Sequence, residues 1–147
     1  MDNTTLIIRF SSNFGLFSWA IRARTWSKYS HVDIVLDHKT YLGAIPSRGV
    51  CIHEEEYPLQ DFFEVEVTPL QYDKILLNAV SQLGKPYDFA GIFGFAIDRD
   101  WQEDDKWFCS EFIAASIQPI VPLFNEEAFK ISPRDLSIHT KFKKIEK

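Results

Sequence analysis

Apolar residues recur with two different periods along this chain. Thr4 to Phe10 is rich in β-branched residues and predicts a strand. Ser11-Ser12-Asn13 then offers a helix N-cap, and Phe14, Phe17, Ile21 and Arg24 follow at roughly helical spacing through Ser27. That helix is amphipathic, with a basic side made by Arg22, Arg24 and Lys28. His31 to Leu36 predicts a strand, Asp37-His38-Lys39 a hairpin turn, and Thr40 to Ile45 the returning strand. Pro46 to Gly49 makes another turn, and Val50 to Glu54 continues the meander. After Pro58 the alternation over Phe62 to Thr68 puts Phe63, Val65 and Val67 on one face and Glu64 and Glu66 on the other.

The period then lengthens. Pro69 opens a helix whose apolar positions Ile75, Leu76, Ala79, Val80 and Leu83 precede a stop at Gly84. An aromatic stretch from Phe89 to Ile97 and a polar loop from Asp98 to Lys106 lead to a helix over Phe108 to Ile117, ended by Pro119. Ile120 to Lys130 reads as irregular, Ser132 to Leu136 as a turn, and Lys141 to Lys144 as a solvated basic end. Strands cluster instead of alternating with helices. That argues for an α+β fold on an antiparallel sheet, built as one domain over residues 1–147.

Composition narrows the function classes. A formal charge of −5 speaks against non-specific nucleic-acid binding. No apolar run is long enough to span a bilayer, and Met-Asp-Asn-Thr-Thr lacks signal-peptide character, so a cytoplasmic protein is expected. Two cysteines, Cys51 and Cys109, are too few for a disulfide scaffold. With four scattered histidines they form no zinc-type spacing, so no metal or other cofactor is expected.

Cys109 is the chemically favoured cysteine. It opens a predicted helix, where unpaired backbone N–H groups and partial positive charge favour a thiolate and can receive an oxyanion. Cys51, between Val50 and Ile52, reads as structural. A nucleophilic thiol needs a base, and His31 is the natural choice: it starts a strand and shares a face with Asp33, opposite Val32, Ile34 and Leu36. His53 can face the same cleft from a neighbouring strand. His38 and His139 read as solvated.

Four segments resemble the YiiX/YebB-like hydrolases, a circularly permuted branch of the NlpC-type papain-like superfamily. They are Tyr29 to Val35 (the histidine strand), Gly84 to Asp88, Trp107 to Phe112 (the cysteine motif) and Ser132 to Leu136, in the family's order. The resemblance implies an antiparallel, barrel-like sheet packed on the cysteine helix. It also accounts for a histidine that precedes the cysteine, the reverse of papain. It implies cysteine catalysis by Cys109 and His31 on an amide, peptide or ester bond, with peptides or lipid esters as substrates. Tyr29 or Tyr87 can supply a phenolic O–H to the oxyanion, while Asp88 and Glu111 hold local geometry.

One position departs from the family. A polar residue that orients the histidine is expected where Gly43 stands. The third member of the triad therefore looks missing, which leaves His53, Asp33, a backbone carbonyl or water to do the orienting. The alternative is a weakened or inactive domain that keeps the cleft to bind a peptide or lipid. The basic helix carrying Phe14, Leu16, Phe17 and Trp19 suits an anionic or lipid-like ligand and peripheral membrane contact.

Overall fold

A computed structural model describes residues 3–13, 15–89 and 106–146. Phe14, the aromatic stretch after Phe89 and the loop read from Asp98 lie outside the described residues, as do the side chains of Leu16 and Phe17. The order is β1 (Thr4–Ser12), α1 (Leu16–Thr25), β2 (His31–Asp37), β3 (Thr40–Ile45), β4 (Gly49–His53), β5 (Leu59–Val67) and α2 (Pro69–Val80). Then follow α3 (Cys109–Ile117), a 3₁₀ turn at Ala128–Lys130, α4 (Pro133–Ile138) and β6 (Lys143–Lys144).

The six strands form one antiparallel sheet in the order β4-β3-β2-β1-β5-β6. Among the described residues no pairing joins β4 to β6. One face is the main core. Leu6, Ile8, Val32, Ile34, Leu42 and Val65 are buried there with Ile75 and Ala79 of α2 and Phe112, Ile113 and Ile117 of α3. The β5 alternation holds: Phe63, Val65 and Val67 are buried, and Glu66 is exposed.

Several boundaries differ from the sequence reading. Ser11 and Ser12 continue β1, where they pair with Gln60 and Leu59, so they do not cap a helix. α1 begins after Gly15, which has no side-chain cap, while Asn13 accepts from the Gly15 N–H. Val80 and Leu83 are exposed because α2 ends at Val80 and docks through Ile75 and Ala79. Ser132 to Leu136 is the start of a helix: the Ser132 hydroxyl accepts from the Asp135 N–H, and the Asp135 carboxylate accepts from the Ser132 N–H. Lys143 and Lys144 are exposed but pair with Glu64 and Phe63. His139 is held, with one ring nitrogen 2.9 Å from the Leu123 carbonyl.

Candidate active site

α3 starts at Cys109 because the chain enters it in an extended, stitched form. Trp107 N–H donates to Pro86 C=O, and Asp88 N–H donates to Trp107 C=O, both at 3.0 Å. The Tyr87 segment is fixed in turn to β4: Gly84 N–H donates to Val50 C=O, and Val50 N–H to Lys85 C=O, both at 2.9 Å. Gly49 permits this approach. Its φ is +72°, and a Cβ there would stand 2.2 Å from the Lys85 oxygen. The first turn of α3 closes with Phe112 N–H on Phe108 C=O, which leaves the N–H groups of Cys109 and Ser110 ahead of the first helical bond. The Glu111 carboxylate accepts from the Phe108 N–H at 3.4 Å.

The Cys109 thiol is buried and contacts the Ser30 carbonyl at 3.7 Å, beside the start of β2. His31 is the next residue. Its Nε2–H donates to Oδ1 of Asp33 at 2.8 Å, and its ring lies within electrostatic reach of Cys109. With Nε2 committed to Asp33, Nδ1 is the nitrogen left for the sulfur. His31 and Asp33 are two residues apart on one strand and therefore project to the same side. The imidazole thus stands between the thiol and a carboxylate of its own strand.

Asp33 is fully buried and fully engaged. Oδ1 also accepts from His53 Nε2 at 3.0 Å, while Oδ2 accepts from Arg9 Nη2 at 2.6 Å and Arg9 Nε at 3.2 Å. His53 Nδ1 accepts the Glu55 N–H at 3.2 Å, so its proton sits on Nε2. Arg9 is itself fully buried. Its Nη1 donates to the Glu55 carbonyl and to Gln60, and its guanidinium carbon lies 3.4 Å from the Tyr41 ring centroid.

These contacts set the protonation states. Burial by itself would lower the His31 pKa, but the Asp33 charge and hydrogen bond, with help from Cys109, outweigh it and raise the value to about 10. Burial would raise the Asp33 pKa; the His31 charge, the hydrogen bonds from both histidines and the Arg9 charge drive it well below the usual carboxylate range.

Gly43 takes on a different meaning in this arrangement. No side chain stands there, as the sequence reading had it, but the space is occupied: a Cβ at Gly43 would lie 2.1 Å from Asp33 Oδ1 and 3.1 Å from its Cγ. The carboxylate beside His31 comes from two residues along β2 instead of from β3. Glycine at position 43 is what admits it.

The two tyrosines separate. Tyr29 is buried against Phe10 and Phe63, and its hydroxyl donates to Asp61 at 2.6 Å, which commits it away from an oxyanion. Tyr87 is buried: burial and then the Cys109 charge push its phenol well above its ordinary range. Tyr57, which no sequence motif singles out, has its ring 5.3 Å from that of His31 and 4.9 Å from the Arg9 guanidinium carbon. Arg9 also went unnoticed, since a lone arginine in a strand reads as an edge charge. Cys51 is half-buried; burial raises its thiol pKa, and its backbone pairs with Gly43. Both cysteines are free.

Strand pairing also builds a cluster that no linear spacing announces. His31, Asp33 and His53 offer ligand atoms within 4.8 Å of one another, and two imidazoles with a carboxylate suit zinc. The protons do not suit it. Both Nε2 atoms carry the hydrogens they give to Asp33, and His53 cannot move its proton to Nδ1 while that atom accepts from Glu55. Arg9 holds the other carboxylate oxygen. In this bonding pattern the cluster does not fit a cation.

No protein-family model matches the chain, and no curated protein does. Among solved structures, the chain is similar to the metalloprotein YiiX from Escherichia coli O157:H7. The TM-score is 0.70 at 19% identity, covering 98% of this chain and 97% of that one. The fold is therefore YiiX-like over essentially the whole chain.

Proposed function

We propose that the protein is a cysteine hydrolase that breaks an amide, peptide or ester bond through a thioester on Cys109. The observation that carries this reading is one imidazole, His31, placed between a thiol at a helix start and a buried carboxylate. Beside the His31 imidazolium the ionised sulfur of Cys109 attacks the acyl carbon, while the N–H groups at the start of α3 receive the oxyanion. The leaving amine or alcohol departs with the proton from His31. Water, deprotonated by the same imidazole, then splits the thioester and restores the thiol. Asp33 holds the ring with Nδ1 toward sulfur, and Arg9 and His53 hold Asp33. Tyr87, whose phenol responds to the Cys109 charge, is the one suited to assist the oxyanion.

The order of histidine before cysteine and the YiiX-like fold support a circularly permuted papain-like, NlpC-type assignment. Two free cysteines suit a reducing, cytoplasmic setting. Because the histidine–aspartate cluster does not accommodate a cation as bonded, the reading predicts turnover that survives a chelator.

The test is capture of the acyl-enzyme. The native protein is exposed to amide, peptide and lipid-ester activity probes and mapped by mass spectrometry, with Cys109→Ala and His31→Ala alongside. Adducts on Cys109 that vanish in Cys109→Ala and fall at least a hundredfold in His31→Ala are expected. Iodoacetamide labelling of Cys109 that follows an ordinary thiol's pH dependence and ignores His31→Ala would favour the alternative, a binding domain that keeps the cleft without catalysis.

A further inference from the structure

The link between β4 and β5 is short for what it joins. It covers residues 54–58, yet three strands, β3, β2 and β1, lie between its ends in the sheet. Laid flat, four strand spacings measure about 19 Å, and five linking residues reach about 20 Å when fully extended. The link has no length for a detour, so it is strapped across the side of the sheet that carries Arg9, His31 and Asp33. Its contacts follow that path. Glu55 N–H donates to His53 Nδ1 at 3.2 Å, and Glu55 C=O accepts from Arg9 Nη1 at 2.7 Å. The Glu56 carboxylate accepts from the Tyr41 hydroxyl at 3.4 Å and from Gln60 Nε2 at 2.9 Å.

The strap delivers one aromatic ring to this face. Tyr57 is half-buried, with its ring tilted by 53° to that of His31 and the two centroids 5.3 Å apart. The same ring lies 4.9 Å from the guanidinium carbon of Arg9, and the Tyr41 ring lies 3.4 Å from that carbon. Rings and cations therefore alternate along Tyr41, Arg9, Tyr57 and His31 once the imidazole carries its proton. A cation within about 6 Å of an aromatic centroid is attracted by the ring's quadrupole, more strongly away from water. Both Tyr57 contacts are made by the ring, not by the hydroxyl. Burial and then the Asp33 charge hold the phenol well above its ordinary pKa, so the ring stays neutral beside these cations.

The other groups around the imidazole are Asp33 on its own strand, His53 from β4 and Cys109 from α3. Arg9, paired with Asp33 across β1 and β2, is a second cation that opposes the charge on His31. A ring in contact with both cations attracts both. We infer that Tyr57 is a positioning residue whose ring, held by the strap, keeps His31 in the imidazolium form that faces the Cys109 sulfur. Its use in acyl transfer rests on the hydrolase reading: the proton kept on His31 is the one that departs with the amine or alcohol.

The experiment is an NMR titration of the His31 imidazole in the full-length protein, its signal assigned by loss in His31→Gln. Position 57 carries tyrosine, phenylalanine, leucine, or phenylalanine with one, three or five ring fluorines, which keep the shape while withdrawing electron density from the ring face. Tyr57→Phe should titrate as the native protein does. Tyr57→Leu and the pentafluoro ring should lower the His31 midpoint by about half to one pH unit, with the fluorines acting stepwise. The basic limb of Cys109 acylation by an amide probe should move by the same amount, which a general loss of packing would not produce. A midpoint that ignores fluorination, or a Tyr57→Phe protein shifted as far as Tyr57→Leu, would overturn the inference. The fluorinated series decides the matter even where Tyr57→Leu fails to fold. A fluorine-dependent midpoint with no acyl-enzyme on the native protein would leave the ring contact standing and remove the hydrolase. Adducts on Cys109 with a midpoint blind to fluorine would do the reverse.

Discussion

On one side of β2, Val32 and Ile34 are fully buried among other hydrocarbon side chains; on the other, Asp33 is buried as completely beneath Arg9 and both histidines. The first burial is favourable by itself, about 2 kcal/mol for each side chain removed from water. The second costs free energy unless every lone pair is met, and here four N–H donors meet the carboxylate. The hydrocarbon side tolerates gradual change. The ionic side is all-or-none, because removing one partner strands another charge in the interior.

That contrast sets the scale of the mutational effects. Asp33→Ala should give the largest: Arg9 is left buried without its partner, at a cost of about 3–5 kcal/mol in urea unfolding. Asp33→Asn keeps the shape and separates folding from chemistry. Its loss of stability should be smaller, while thioester formation falls by at least about tenfold because the ring loses its charged support. An Asp33→Asn protein with native turnover would break the comparison.

The pH dependence of stability comes next. His31 has a raised pKa in the folded state, about 10, against an ordinary value near 6.5. Its contribution is therefore complete below pH about 6.5 and is lost as pH rises toward 10, by roughly 2–5 kcal/mol. Asp33 runs the other way, with its contribution present above pH about 4 and lost on acidification. Urea midpoints of native and His31→Gln protein across this range should converge at high pH. Parallel curves would show that the imidazole carries no such linkage.

Gly43→Ala sharpens the same point from the neighbouring strand. The new methyl must displace a carboxylate held by four donors, at about 1–3 kcal/mol and with slower acylation. A neutral Gly43→Ala would mean that the space is not shared as described. Smallest is Ile34→Val on the hydrocarbon side, about 1 kcal/mol of stability with acylation unchanged. These values come from chemical denaturation paired with stopped-flow acylation of each variant.

Much of this molecule was legible before any coordinates. Alternation over Phe63 to Val67 gave the faces of β5, and the turns at His38 and Ser47 gave the β2–β3–β4 meander, because period and turn chemistry are local. The helix over Cys109 to Ile117 followed from its apolar run and the proline after it, and the privileged position of its first residue followed from helix ends in general. Boundaries that depend on a partner strand were not legible: β1 runs on through Ser12 because β5 pairs with it there.

The sequence by itself determined that Cys109 opens a helix and that His31 and Asp33 leave their strand on one side. Those follow from residue type and from a period of two. Only the tertiary structure decided which groups meet. Gly43 looked like an absent acid because a position shows only its own side chain, whereas the space beside it belongs to whichever neighbour fills it. Pairing β3 against β2 put Asp33 in that space, and pairing β1 on the far side put Arg9 against it. The Arg9–Asp33 contact spans 24 residues along the chain, a distance at which no local pattern carries information.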